Sequence, residues 1–128
     1  MNSEAYQSYH RVSLSSLAAQ ASPVQLVLLL SDGLLEELHR ARAHIEARRY
    51  ELKARSLTRC VGMLDGLTSA LDFEAGGELV VNLSRIYRYC SQRLYEAGFK
   101  LDTALVDEVI GLMTKLRNGW QGYQTRHE

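Results

Sequence analysis

The stretch that decides the fold is SPVQLVLLLSDGLLEELHRARAHI, residues 22–45. Ser22 is a residue type that caps helix N-termini, and Pro23 falls at the first helical position, where its missing N–H is not needed. Apolar side chains then recur three and four residues apart, which is the spacing of one helix face. This stripe comprises Val24, Val27, Leu28, Leu34, Leu35, Leu38, Ala41 and Ile45. We therefore predict a helix over residues 22–47.

Three further segments repeat this spacing and predict helices over residues 50–72, 77–97 and 102–121. Gly98 is placed to stop the 77–97 helix, and Asp102 is placed to cap the last one. The chain has one proline, and no alternation long enough to indicate a strand. These features predict a single all-α domain over residues 1–128, an antiparallel up-and-down four-helix bundle. Residues 1–20 are expected to form a mobile N-terminal arm and a short helix.

Charge and hydropathy exclude two classes of partner. The 15 basic and 15 acidic residues cancel, which argues against a nucleic-acid binder that relies on a general basic field. Basic residues do crowd the stretch from Arg40 to Arg59, where a solvated helix–turn–helix corner is favoured over an anionic docking surface. The longest apolar run, residues 26–30, is too short to insert into a membrane. With no secretory signal visible, we expect the chain in the cytoplasm.

No set of side chains predicts catalysis, a metal or a cofactor. His39 and His44 are five residues apart, whereas two ligands on one helix face are typically four apart. Cys60 and Cys90 fall on apolar helix faces and are expected to be buried reduced thiols. Carboxylates crowd one turn region, but such residues are common at helix ends: Asp65, Asp72, Glu74 and Glu78.

Two other patterns bear on binding. Gly62 and Gly66 leave a smooth strip on one helix, for which close packing within the bundle is favoured over a ligand groove. The chain has seven tyrosines, a residue type that suits a wet, reversible binding surface. Tyr87 and Tyr89 are two residues apart, so if Tyr87 points into the core then Tyr89 points to a flank.

Several blocks of the sequence resemble the flagellar secretion chaperone family FliS. They are ASPVQLV at residues 21–27 followed by LLSDG at 29–33, and LDFEAGGEL at 71–79 followed by Asn82-Leu83 and IYRY at 86–89. Ala5-Tyr6, Tyr9 and Trp120 fit the same pattern. Ser31 departs from it, because the family usually has an aromatic residue there, and this difference concerns the shape of the groove.

The resemblance implies a chaperone that binds the C-terminal segment of flagellin, prevents its premature polymerisation and assists its delivery to the flagellar type III export apparatus. The alternative is a helical adaptor for another client, such as an anti-sigma factor, a co-chaperone or an export-gate component. The expected groove is lined by the helices over 22–47 and 77–97, and the arm covers part of it. Asp32 is expected to bond either with the client or within the bundle. The expected client-binding residues are Tyr6, Tyr9, Val24, Leu30, Asp32, Asn82, Leu83, Ile86, Tyr87 and Tyr89.

Overall fold

The computed structural model describes residues 22–72, 74 and 76–127, so the expectations for Tyr6, Tyr9 and the arm over residues 1–20 lie outside the described part. Four α-helices follow one another along the chain: α1 (Pro23–Glu46), α2 (Tyr50–Ser69), α3 (Gly77–Lys100) and α4 (Thr103–Arg126). The described residues contain no strand. The predicted all-α fold is confirmed.

The four helices form a closed ring. α1 packs against α2 and α4, and α3 packs against the same two helices. Asp32 and Arg42 of α1 pair with Arg117 and Asp107 of α4, so the partner number falls as the α1 number rises. The two helices are therefore antiparallel. α1 and α3 lie on a diagonal of the ring.

The caps that the sequence predicts are present. Ser22 Oγ accepts the backbone N–H of Gln25 at 3.2 Å, and Gln25 Oε1 accepts the backbone N–H of Ser22 at 2.8 Å. This reciprocal pair satisfies two N–H groups that the first turn of α1 would otherwise leave without partners. Asp102 Oδ1 accepts the backbone N–H of Ala104 at 2.9 Å, which starts α4 as predicted.

The ends of the helices differ from the prediction. α3 continues through Gly98 to Lys100, and Leu101 takes the left-handed conformation with φ of 53°. Its N–H bonds to the carbonyl of Ala97 at 2.9 Å, so the helix stop that was predicted at Gly98 falls three residues later. α2 ends at Ser69, ahead of the predicted residue 72. α4 extends beyond residue 121 to Arg126. The ring of Tyr123 in its last turn stacks on the ring of His127, which follows the helix, with the ring centres 4.1 Å apart.

The core follows the predicted apolar stripes, with every helix contributing to it. Its fully enclosed members include Leu34 and Leu38 of α1, Leu94 of α3 and Met113 of α4. Cys60 and Cys90 are free, buried thiols, as predicted. Close burial of such side chains is the main source of stability in a bundle of this size.

The glycine strip does not pack closely within the bundle, so that expectation is wrong. A Cβ atom built on Gly62 or Gly66 would meet no heavy atom within 4 Å. The reason is their position on α2, because the buried stripe runs through Leu57, Cys60 and Leu64 and both glycines lie off it. Gly62 is exposed and Gly66 is half-buried, and no atom of another helix lies within 4 Å of either Cβ position.

The basic stretch is largely a corner of surface ion pairs. Arg40, Arg42, Arg55 and Arg59 each pair with a carboxylate. One of these carboxylates, Glu37, is buried between α1 and α2, with a side chain that is 5% exposed. Arg40 Nη1 lies 3.2 Å from its Oε1, and Arg59 Nη1 lies 3.5 Å from its Oε2, so the buried charge is compensated from both helices.

Candidate docking groove

An open groove runs between α2 and α3, where α2 begins and α3 ends. It encloses about 260 Å³, enough for one or two side chains of a partner. We call it the α2–α3 groove. Its lining comes from both helices in similar measure: Lys53, Ala54, Leu57, Thr58, Val61, Leu94, Tyr95, Gly98 and Phe99.

The floor of the α2–α3 groove belongs to the core. Leu57 is 8% exposed and Leu94 is fully buried, so both are held by packing from below. Gly98 keeps the floor low, since a Cβ atom at this position would come within 3.1 Å of Leu57 Cδ1. The absence of a side chain at Gly98 therefore helps to form the depression.

Two aromatic residues stand at the edge of the groove. Tyr95 is 67% exposed and Phe99 is 93% exposed. They are four residues apart on α3, so they lie one above the other on the same side of the helix. A phenylalanine that is almost wholly in water gains nothing for the folded chain, whereas burying it against a partner is worth about 1.5–3 kcal/mol. These two rings make the groove a candidate binding surface.

One polar contact closes the end of the groove. Lys53 Nζ donates a hydrogen bond to the backbone carbonyl of Gly98 at 3.0 Å. This contact places a positive charge at the C-terminus of α3, where the helix dipole favours it. It also ties the first turn of α2 to the last turn of α3.

The described residues include no group of three or more side chains arranged to hold a metal ion. Burial raises the pKa of the Cys60 thiol to about 12 and that of the Cys90 thiol to about 11. A thiol must be ionised to act as a nucleophile, so neither is activated at neutral pH. None of the four described helices has both the length and the apolar character needed to cross a bilayer.

Comparison with known proteins decides the family. The family model described as "Flagellar protein FliS" matches residues 4–127. The chain belongs to the FliS family. This is a family of chaperones and not of enzymes. The predicted FliS resemblance is confirmed.

Curated FliS proteins match nearly the whole chain. It is 40% identical over 119 residues to the flagellar secretion chaperone FliSB of Pseudomonas aeruginosa, covering 93% of this chain and 94% of that protein. It is 37% identical to the flagellar secretion chaperone FliS of Salmonella typhimurium, over 88% of this chain and 84% of that one. The FliS of Escherichia coli is 34% identical, over 90% and 85%. The chain is accordingly a flagellar export chaperone.

Among the predicted client-binding residues of this FliS chain, two lie in the core. Leu83 is 4% exposed and Tyr87 is 3% exposed, and both belong to the buried cluster. Burial also raises the pKa of the Tyr87 hydroxyl. In this arrangement they support α3 from inside, and a client could contact them only if the bundle opened.

Tyr89 lies on a flank of α3, as predicted, where a polar network joins it to α4. Its hydroxyl donates to Glu108 Oε2 at 2.6 Å, and Arg93 Nε donates to Glu108 Oε1 at 2.6 Å. The Arg93 guanidinium also lies over the Tyr89 ring, 5.5 Å from its centre. The hydrogen bonds from Tyr89 and then from Arg93 lower the pKa of Glu108. Ile86, seven residues before Arg93, lies on the same flank and packs partly on the core. Asn82, one turn before Ile86, is exposed.

The predicted residues of α1 lie away from this flank. Val24 and Leu30 are partly buried, and Leu30 packs against the core. Asp32 is exposed and accepts a hydrogen bond from Arg117 Nε at 2.9 Å, which is the alternative in which it bonds within the bundle. Because α1 and α3 are diagonal, the structure does not bring these residues side by side with those of α3.

The sequence reasoning missed Tyr95 and Phe99. Both lie beside the buried positions Leu94 and Ala97, outside the apolar stripe of α3. The available signal was two aromatic residues one turn apart at positions where the helix face should be polar, close to the end of the helix. Large side chains at such positions are better explained by a partner than by the core.

Proposed function

We propose that this FliS-family chain binds the C-terminal segment of flagellin, keeps it from polymerising in the cytosol and brings it to the flagellar type III export apparatus. The observation that carries the proposal is the α2–α3 groove, with Phe99 93% exposed at its edge. Relatives over nearly the whole chain are named flagellar secretion chaperones, which supports an export client.

The groove suits a segment that folds as it binds. An unfolded amphipathic segment needs an apolar host for one face, and it becomes helical when that face is buried. The floor provided by Leu57 and Leu94 is fixed by the core, so the host surface is formed before the client arrives. Tyr95 and Phe99 then act as the anchors, since aromatic side chains are enriched in interfaces and a few buried residues carry most of the binding energy.

The residues expected from the family resemblance enter this proposal as further contacts. Tyr89, Ile86 and Asn82 lie on the flank of α3 opposite the groove, so α3 would be held by the client from both sides. Val24 and Leu30 of α1 would extend the contact at the other end of the bundle. Tyr6 and Tyr9 of the N-terminal arm are proposed to cover part of the binding surface until the client displaces them.

The test is the replacement of Phe99, which can change without disturbing the core. We expect Phe99→Ser to weaken binding of a synthetic flagellin C-terminal segment by at least about tenfold in calorimetry, as loss of an anchor does. Tyr123→Ser is the matched control, because Tyr123 is also an exposed aromatic residue, 42% accessible, but lies near the end of α4. The affinity of the Tyr123→Ser variant for the flagellin segment should change by less than about twofold.

Circular dichroism should show unchanged helicity for both variants. Absence of any heat of binding for the unaltered protein would refute the flagellin proposal. Equal binding by the Phe99 and Tyr123 variants would refute the groove as its location. A pull-down from flagellated cells whose main partner is not flagellin would favour the adaptor alternative.

A further inference from the structure

Three cations near the start of α2 have no carboxylate partner, and one of them, Lys53, lines the α2–α3 groove. Arg48, Arg49 and Lys53 lie around the start of α2, and we call them the basic corner. Among residues 22–72, 74 and 76–127 none of the three forms an ion pair. Arg49 Nε donates to His44 Nδ1 at 3.1 Å, and Lys53 Nζ donates to the Gly98 carbonyl, so neither charge is neutralised.

The other end of the same two helices carries unpaired acids. Asp65 lies in the last turns of α2, and Glu74 and Glu78 flank the start of α3. All three are exposed, and none forms an ion pair with another described residue. Arg85 and Arg88 lie farther along α3 and offset part of this negative charge.

At the end where the basic corner lies, Asp102 follows α3, is exposed and forms no ion pair with another described residue, so it offsets one of the three positive charges. Three cations against one acid at this end, and three acids against two cations at the other, leave a field that runs from acidic to basic, with its stronger pole at the basic corner.

This field distinguishes the two directions in which a helix could lie in the groove. A helix carries about half a positive charge at its N-terminus and about half a negative charge at its C-terminus. The dipoles of α2 and α3 oppose each other, since the helices are antiparallel, so they largely cancel for a helix placed between them. The unpaired side-chain charges therefore decide the direction of the docked helix, and they favour placing its C-terminus at the basic corner.

We propose that the α2–α3 groove holds its client as a helix parallel to α3, with an acidic C-terminal turn or terminal carboxylate against Arg48, Arg49 and Lys53. The apolar face of this helix lies on Leu57, Val61 and Phe99. From Lys53 to Val61 the lining extends about 12 Å along α2, which corresponds to just over two turns of a docked helix. The inference rests on the proposed function and adds the direction of the client and the chemistry of its end.

Site-specific photo-crosslinking tests the direction. Tyr50, 52% exposed, begins α2 next to the basic corner, and Ser69, also exposed, ends it. With p-benzoylphenylalanine at Tyr50, irradiation of the complex with the flagellin C-terminal segment should label the C-terminal half of the docked helix. At Ser69 it should label residues on the N-terminal side of the docked helix. Mass spectrometry of the crosslinked peptides reads out both positions.

Charge removal tests the role of the basic corner. Arg48→Asn with Arg49→Gln removes two charges, and asparagine suits the positive φ of 57° at position 48. We expect affinity to fall by about threefold per charge at low salt, and the difference from the unaltered protein to shrink near 1 M salt. Lys115→Gln with Arg126→Gln is the matched control, because these cations are exposed, lack ion pairs in the described part and lie on α4. The affinity of this control variant for the flagellin segment should stay within about twofold of that of the unaltered protein.

The outcomes separate this inference from the proposed function. Binding with the reversed crosslinking pattern overturns the direction and leaves the flagellin proposal in place. Equal loss of affinity in the corner and control variants overturns the role of the corner. Crosslinks between two copies of the chain in place of client crosslinks would show that the groove takes a second copy, and would overturn the proposed occupant. Failure of the unaltered protein to bind the segment would refute the proposed function itself.

Discussion

At the scale of single residues, burial controls the two cysteine thiols. It raises the pKa of Cys60 to about 12 and that of Cys90 to about 11, from an ordinary value of 9.0. Below pH 9 both the folded and the unfolded chain keep the thiol protons of Cys60 and Cys90. Between pH 9 and about 12 the unfolded chain loses them first, so the unfolding free energy should fall as pH rises.

Chemical denaturation measured from pH 8 to pH 11 checks this prediction. The double variant Cys60→Ala, Cys90→Ala should start less stable, because each substitution leaves a cavity, but its stability should decline less steeply with pH. Identical slopes for the two proteins would contradict the prediction. Native Cys60 and Cys90 should also react with thiol reagents only as fast as the bundle opens.

Single residues also show how much the sequence could predict. The two-residue offset places Tyr87 and Tyr89 on different sides of α3, because helix geometry alone fixes that difference. It does not say which of the two faces the core, and Tyr87, predicted to bind the client, is the one that is buried. The partner of Asp32 could not be read in the same way. Arg117 is 85 residues away along the chain, and only the closure of the ring brings the two together.

At the scale of elements, Gly62 and Gly66 weaken α2 without packing against another helix. Glycine is less favourable than alanine in a helix by about 0.5–1 kcal/mol, and a Cβ at Gly62 or Gly66 meets no heavy atom within 4 Å. We expect Gly62→Ala and Gly66→Ala each to raise the unfolding free energy by up to about 1 kcal/mol. Urea unfolding followed by circular dichroism measures this change.

Gly76→Ala is the opposing control, since a Cβ there would lie 2.9 Å from the Asp72 carbonyl oxygen and collide with Val80. It should destabilise the chain. A loss of stability at Gly62 or Gly66 would mean that the strip packs against something after all. If client affinity falls in either alanine variant while stability rises, the ligand-groove alternative for the strip gains support.

At the scale of the whole molecule, the bundle is held by its core more than by the ion pairs between helices. Met113 and Arg117 lie one turn apart on α4, one fully buried and the other paired with Asp32 on the surface. Met113→Ala should lower the unfolding free energy by about 2–5 kcal/mol through the cavity that it leaves. Arg117→Gln should lower it by less than about 1 kcal/mol, as is usual for exposed pairs. Urea titration of both variants compares them directly, and a larger loss for Arg117→Gln would overturn this ranking.

The sequence by itself determined that the chain is helical, where α1 and α4 begin, which stripes enter the core and to which family the chain belongs. Each of these depends on residues close together along the chain or on a pattern that recurs within one helix. The tertiary structure alone decided that α1 and α3 are diagonal and that an apolar depression opens between α2 and α3. Periodicity gives the apolar face of a helix, but core and groove share that signature until neighbouring helices cover one and leave the other in water.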